Sequence, residues 1–208
     1  MERPPTASEA RPKGWASVVS FLTELPGLLL VALTVAVLIK TFVIQPFYIP
    51  SGSMLPTLEI DDRVMVSKLH YRFGDPKPGD IVVFESPYTS QDDESFLQAV
   101  AEAILEAVGV ANGEEDLIKR VVATEGQTVE IHDNRVFVDG VPIDEPYLMP
   151  GSRMQDEPPT TVPSGHVFVM GDNRSASSDS RVFGPIPVSS IVGKAVFRIW
   201  PLDRLGTL

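Results

Sequence analysis

Two hydroxyls one residue apart, Ser51 and Ser53, lie inside Pro46-Phe47-Tyr48-Ile49-Pro50-Ser51-Gly52-Ser53-Met54-Leu55-Pro56-Thr57-Leu58. Proline fixes its own φ and pushes the residue before it to extended backbone, so the run is predicted to hold extended or turn geometry. Gly52 can take backbone angles closed to other residues. A hydroxyl held on a rigid turn suits a nucleophile, although serines also populate turns for local reasons. A serine nucleophile needs a base. The chain has no cysteine, which excludes thiol chemistry and disulfides, and its three histidines, His70, His132 and His166, form no close pair. Of the lysines, Lys119 stands out within Leu117-Ile118-Lys119-Arg120-Val121-Val122. On a strand Leu117, Lys119 and Val121 share a face, and an ammonium between aliphatic side chains is desolvated, which lowers its pKa. Arg120, if it lies near, pushes the same way as a like charge. A fall of about 2–3 units from the free value leaves a useful neutral fraction. A lysine that guards an edge strand fits the same residue type.

A third polar cluster, Gly171-Asp172-Asn173-Arg174-Ser175-Ala176-Ser177-Ser178-Asp179-Ser180-Arg181, falls between predicted strands. Asp179 and Arg181 are two residues apart, and on an extended chain they project to one side, where they can pair and brace a loop. The same composition also fits a solvated turn.

The elements that must position these groups are mostly strands. Short β-rich runs punctuated by Pro and Gly are predicted at Arg63–Leu69, Asp80–Glu85, Leu117–Val122, Thr128–His132, Arg135–Val138, His166–Met170 and Ile191–Trp200. Asp133-Asn134 reads as a hairpin turn, and residues 150–165 as a Pro-rich loop. The fold class expected is mainly β, an antiparallel sheet or barrel-like domain at 45–208, with a short helical insertion over 88–116 carried by the amphipathic stretch Ser95–Val108. Residues 1–24 read as a polar tail. Leu25–Ile44 is nearly uncharged over 20 residues, about 30 Å of helix and the thickness of a bilayer core, so it is expected to be an uncleaved transmembrane anchor. Lys40 can snorkel to the interface; Arg11 and Lys13 before the span favour a cytoplasmic N-terminus, with Lys40 pointing the other way.

Net charge is −11, and residues 45–208 hold 13 Lys and Arg against 25 Asp and Glu. That acidic body has no basic stripe for phosphate, which argues against nucleic acid.

In this order after an apolar segment, the three clusters resemble bacterial type I signal peptidase, the Ser–Lys dyad family. Pro46–Leu58 resembles its nucleophile box, Gly79–Phe84 its next β box, Ile118–Val122 its lysine box and Gly171–Arg181 with Phe183-Gly184 its final box. The resemblance covers roughly 38–87 and 117–200. It implies Ser53 as nucleophile and Lys119 as general base, with the Ser51 hydroxyl and Ser53 N–H as oxyanion donors. It further implies Ser177 as orienter of the lysine amine and Asp179–Arg181 as a supporting ion pair. Phe47, Ile49 and Ile118 would line shallow pockets for small residues. The implied activity is removal of signal peptides from secretory preproteins after an Ala-x-Ala-type site at the lipid bilayer of the cell membrane, with no metal and no cofactor. Oligomeric state is not legible. The chain departs from the family pattern at Ala123-Thr124-Glu125-Gly126-Gln127, where Gly-x-Pro-Gly-Asp is usual, and at Ser175-Ala176, where Asp-Asn is common. A penicillin-recognising acyltransferase would need an S-x-x-K, which Ser53-Met54-Leu55-Pro56 is not. An anchored, catalytically inactive β-module that binds exported chains would have no use for a nucleophile matched to a base.

Overall fold

The computed structural model describes residues 25–36, 38, 39, 43–88 and 116–208. The chain divides into two units, 1–39 and 40–208. In the first, residues 25–36 and 38–39 are helical, and Leu28, Leu29, Leu30 and Leu33 are exposed. No helix among the described residues is long and apolar enough to cross a membrane. The anchor expected over 25–44 is therefore described only in part, and its last residue, Ile44, already belongs to a strand. The helix expected at Ser95–Val108 lies outside the described residues.

The second unit is antiparallel β, with strands β1 Ile44–Tyr48, β2 Arg63–Ser67, β3 Ile81–Glu85, β4 Asp116–Thr124, β5 Thr128–His132, β6 Arg135–Val138, β7 Val141–Pro142, β8 Glu157–Thr161, β9 His166–Met170, β10 Ile186–Pro187, β11 Ile191–Trp200 and β12 Gly206–Thr207. The larger sheet runs β1-β2-β11-β3-β4-β9-β10, with β12 added beside β11, and the smaller runs β7-β6-β5-β8. Among the described residues these are two open sheets rather than one closed barrel. Phe84 pairs with Leu117, Val82 with Lys119 and Ile81 with Arg120, so the lysine strand β4 is central, flanked by β3 and β9. That placement removes the edge-guard reading of Lys119.

The core explains why β3 reads as a continuous apolar run. Val83 and Ile81 pack into one cluster with Ile49, Met54 and Ile118, whereas Val82 and Phe84 pack into another with Val121 and Val169. Covered on both faces, the strand buries its four apolar residues Ile81–Phe84 and exposes only Glu85 at its end. The smaller sheet lays Val129, Ile131 and Val136 against Phe168 and Met170 of β9. Asp133 and Asn134 both take positive φ, 51° and 60°, the geometry of a tight hairpin turn. Where the chain departs from the family turn, Gly126 takes φ 79° and the Gln127 side chain accepts from the Thr124 N–H at 2.9 Å, so the turn is braced locally. Glu157–Thr161, read as loop, is a strand; its prolines sit at the edge of the small sheet, where a missing N–H is tolerated.

Candidate active site

Ser53 sits in the 3-10 turn Gly52–Met54, directly after β1. The turn is held by its own side chains: Met54 and Leu58 are fully buried, each contributing about 1.5–3 kcal/mol. Leu55 N–H donates to Gly52 O at 3.2 Å and Leu58 N–H to Met54 O at 2.9 Å. Gly52 does not use the backbone angles open to glycine alone, since its φ is not in the positive range; it lies close to Leu55 Cδ1, which an added Cβ would meet at 3.0 Å.

Lys119 reaches the same point from β4. Its residue is 3% exposed, and its Nζ donates to Ser53 Oγ at 2.9 Å and to Ile118 O at 2.8 Å. Burial pushes the ammonium down from an ordinary 10.5 to about 8, against the Asp179 and Asp172 carboxylates, which favour the charged form. Arg120, expected to add a like-charge push, is instead bound to a carboxylate. Its Nε and Nη2 donate to Asp172 Oδ1 and Oδ2 at 2.8 and 2.7 Å, and its Nη1 to Gly79 O at 2.9 Å. Thr57 donates to the same Asp172 at 2.5 Å, and the Tyr147 ring lies 4.0 Å from the Arg120 guanidinium carbon.

The loop after β9 closes the site. Asn173 donates twice to the nucleophile turn, N–H to Ser53 O and Nδ2 to Gly52 O, both at 3.0 Å. Gly171 has to be glycine: an added Cβ would stand 2.3 Å from Ser177 Oγ and 2.5 Å from Ser53 O. Asp179, fully buried, accepts from Arg181 Nε and Nη2 at 2.7 Å each and from Gly171 N–H at 3.0 Å. The expected pair therefore forms, but not along an extended strand: Asp179 caps the short helix Ser180–Phe183 and also accepts from Arg181 N–H. A second buried arginine, Arg174, donates from Nε to Gly171 O at 2.9 Å and from Nη2 and Nη1 to Glu145 at 2.5 and 3.2 Å. Tyr147 OH donates to Glu145 at 3.0 Å. Among the sequence-predicted residues, Ser51 Oγ donates to Ser53 Oγ at 3.4 Å. Among the described residues Ser177 Oγ is buried without a hydrogen-bond partner, so the bond expected from it to the lysine amine is not formed.

These groups border an open cleft of about 330 Å³, lined by Ser51, Ser53, Lys119, Leu117, Asn173 and Ala176 among others. Ile49 and Ile118, expected to line it, are buried in the core beneath, with Phe47 packed half-buried against them. Both are hydrophobic neighbours of the turn, and their sequence pattern does not separate core from wall. Leu117 faces the cleft because it shares the strand face of Lys119. Asn173, Glu145 and Tyr147 were missed. An asparagine in a polar loop, here Asn173 two residues after Gly171, is a signal for side-chain bonds to backbone; nothing in sequence marks Glu145 as the partner of Arg174.

A model of the family described as signal peptidase, peptidase S26, matches residues 22–200. A probable signal peptidase I-1 of Synechocystis is 44% identical over 90% of this chain and 87% of its own length. A signal peptidase I of Mycobacterium tuberculosis is 39% identical over 91% of this chain and 76% of its own. A crystal structure of a signal peptidase I from Enterococcus faecalis aligns with a TM-score of 0.42 at 28% identity, over 58% of this chain and 97% of that one. With a family model across most of its length and such relatives across nine-tenths of it, the chain belongs to the signal peptidase family, peptidase S26, and is an endopeptidase of it.

Proposed function

We propose that this enzyme removes N-terminal signal peptides from exported preproteins, cutting after an Ala-x-Ala-type site through a Ser53 acyl-enzyme with Lys119 as general base. The observation that carries the reading is the buried 2.9 Å contact between Lys119 Nζ and Ser53 Oγ. With the amine neutral, Nζ keeps donating to Ile118 O and its lone pair takes the Ser53 proton as Oγ attacks the scissile carbonyl. The tetrahedral oxyanion is met by the Ser51 hydroxyl and the Ser53 N–H. Donors of this kind are worth about 3–4 kcal/mol each in a water-poor site. Lys119 returns the proton to the leaving amine, which departs as the mature N-terminus. It then takes a proton from water, whose oxygen attacks the acyl carbon, and passes that proton to Ser53 Oγ as the bond from Oγ to the acyl carbon breaks. Asp179 and Arg181 brace the loop behind the lysine. No metal or cofactor enters these steps.

The anchor expected over 25–44 is assigned as a single transmembrane segment that ends before β1 begins at Ile44, with 1–24 cytoplasmic, the β domain through residue 208 extracytoplasmic and 88–116 an insertion in it. Since a signal peptide's own apolar segment lies in the bilayer, anchoring raises the effective concentration of enzyme at the substrate.

The test is cleavage of a preprotein bearing an Ala-x-Ala site by the purified full chain in detergent, beside Ser53→Ala and Lys119→Met. Cutting after the second Ala by wild type, with both variants folded and inactive, is the expected result. An inactive wild type that still binds preprotein would move the assignment to an anchored binding module.

A further inference from the structure

The Gly171–Asp172–Asn173 junction is held from two sides by arginines. Arg120 grips the Asp172 carboxylate with two bonds, and Arg174 bonds Gly171 O. Asn173, the next residue, carries both hydrogen bonds from this loop to the Gly52–Ser53 turn. Both arginines in turn end on one short segment of the connection between β7 and β8. Arg174 meets Glu145 through two nitrogens, with side chains 0% and 7% exposed, and Arg120 lies under the Tyr147 ring. Tyr147 OH also donates to Glu145, which locks the two contacts into one unit. A buried guanidinium deprived of its carboxylate, or of the wall that keeps water off it, finds new partners by moving, and here the first thing that moves with it is the loop that bonds the nucleophile turn.

We propose that Glu145 and Tyr147 are positioning residues for the Ser53–Lys119 pair, acting through Arg174 and Arg120 on the Gly171–Asn173 junction. The inference rests on the dyad reading above. Neither residue lines the cleft, so substrate affinity is not their concern. Their loss also has an electrostatic consequence with a fixed sign. Asp172 favours protonated Lys119, and Arg120 is bonded to both oxygens of that carboxylate; a loosened Arg120 would leave more of the negative charge facing the amine, which raises the pH at which the base loses its proton.

The experiment is steady-state cleavage of a signal-peptide substrate by the full chain in detergent, as a function of pH, for wild type, Tyr147→Leu, Tyr147→Phe and Glu145→Gln, each checked by its melting temperature. Tyr147→Leu and Glu145→Gln are expected to lower kcat by about tenfold to a hundredfold, the effect of a displaced reacting group, with KM within about twofold. The acidic limb of the Tyr147→Leu profile moves to higher pH, and Tyr147→Phe, which restores the ring, recovers most of the loss. A merely structural role would lower stability without moving that limb. If wild type cleaves and the folded variants keep its kcat and its pH limb, the inference is overturned while the dyad stands. If wild type does not cleave, the dyad reading fails and takes the inference with it. Should Tyr147→Leu unfold, Glu145→Gln, nearly isosteric with the native residue, decides alone.

Discussion

Two consecutive residues of β4 bury two cations and treat them in opposite ways. Lys119 and Arg120 leave the strand on opposite faces, 3% and 9% exposed. Arg120 meets a carboxylate through two bonds, a backbone carbonyl and an aromatic ring. Lys119 meets a hydroxyl and a carbonyl and makes no ion pair among the described residues. Lys194 on β11 shows what a paired lysine looks like in this same fold, 2.6 Å from Asp80. The lesson is that the strand does not select a base by burial alone. A buried cation with a counterion stays charged and builds structure; one left with neutral partners is the group whose proton is cheapest to remove.

The sharpest way to break this contrast is Lys119→Arg, which puts the non-titrating cation on the titrating face. Guanidinium does not deprotonate in a protein, so activity is expected to fall roughly 10⁴-fold with Ser53 intact, as for loss of a catalytic base. Single-turnover cleavage at pH 8 measures it, and a rate within about tenfold of wild type would mean that Lys119 is not the base. Next in size is Asp172→Ala on the opposite face. It strands Arg120 in the interior, and the expected loss is about 3–5 kcal/mol of stability, read from urea unfolding. A loss below about 1 kcal/mol, the scale of a surface pair, would mean that Arg120 escapes to solvent and the two cations are less different than they look.

How far the sequence went follows the same divide between local and assembled features. The bounds of β5, β6, β9 and β11 were legible because each is a short apolar run between turn residues. β1 was not, since Pro46 and the apolar stretch before it argued for an anchor running to Ile44; the proline is accommodated because, among the described residues, β1 pairs only with β2, at the sheet's end. The split into two sheets was also hidden, since alternation reports which face is buried and not against what. In the site, Ser53 and Lys119 were picked by residue type and family resemblance. The division of Ile49 and Ile118 into core and Leu117 into wall was not legible, as all three are aliphatics beside the catalytic residues. The carboxylates that hold Arg120 and Arg174 lie 52 and 29 residues away along the chain, and pairing at that separation is a property of the fold.

Lys119→Met tests the energetic side of leaving a cation unpaired. The folded pKa, about 8, lies below the ordinary 10.5. Between those values the unfolded chain binds the proton and the folded one does not, so stability rises with pH there and the burial penalty is fully present below about pH 8. The methionine variant is therefore expected to be more stable than wild type at pH 7 by up to about 3 kcal/mol, with the advantage shrinking from pH 8 toward 10.5. Unfolding at pH 7 and pH 10 measures it; an advantage that does not shrink would locate the gain in packing. The same titration fixes the acidic limb of kcat/KM near pH 8, with activity lost below it as the amine takes its proton.

The smallest expected effect isolates what Arg120 does beyond carrying charge. In Arg120→Lys the cation remains, but an ammonium cannot bond both Asp172 oxygens side by side as the guanidinium does, nor stack under Tyr147. Losing the second bond and the ring contact costs about 1–2 kcal/mol of stability. The outcome also bears on the neighbouring face. A point charge in a roomier pocket offsets Asp172 less closely, so Lys119 holds its proton more tightly and the acidic limb of cleavage moves to higher pH. If stability falls and the limb stays where it was, the two cations share a strand but not an electrostatic environment. If both move together, the charged face of β4 sets the proton affinity of the other.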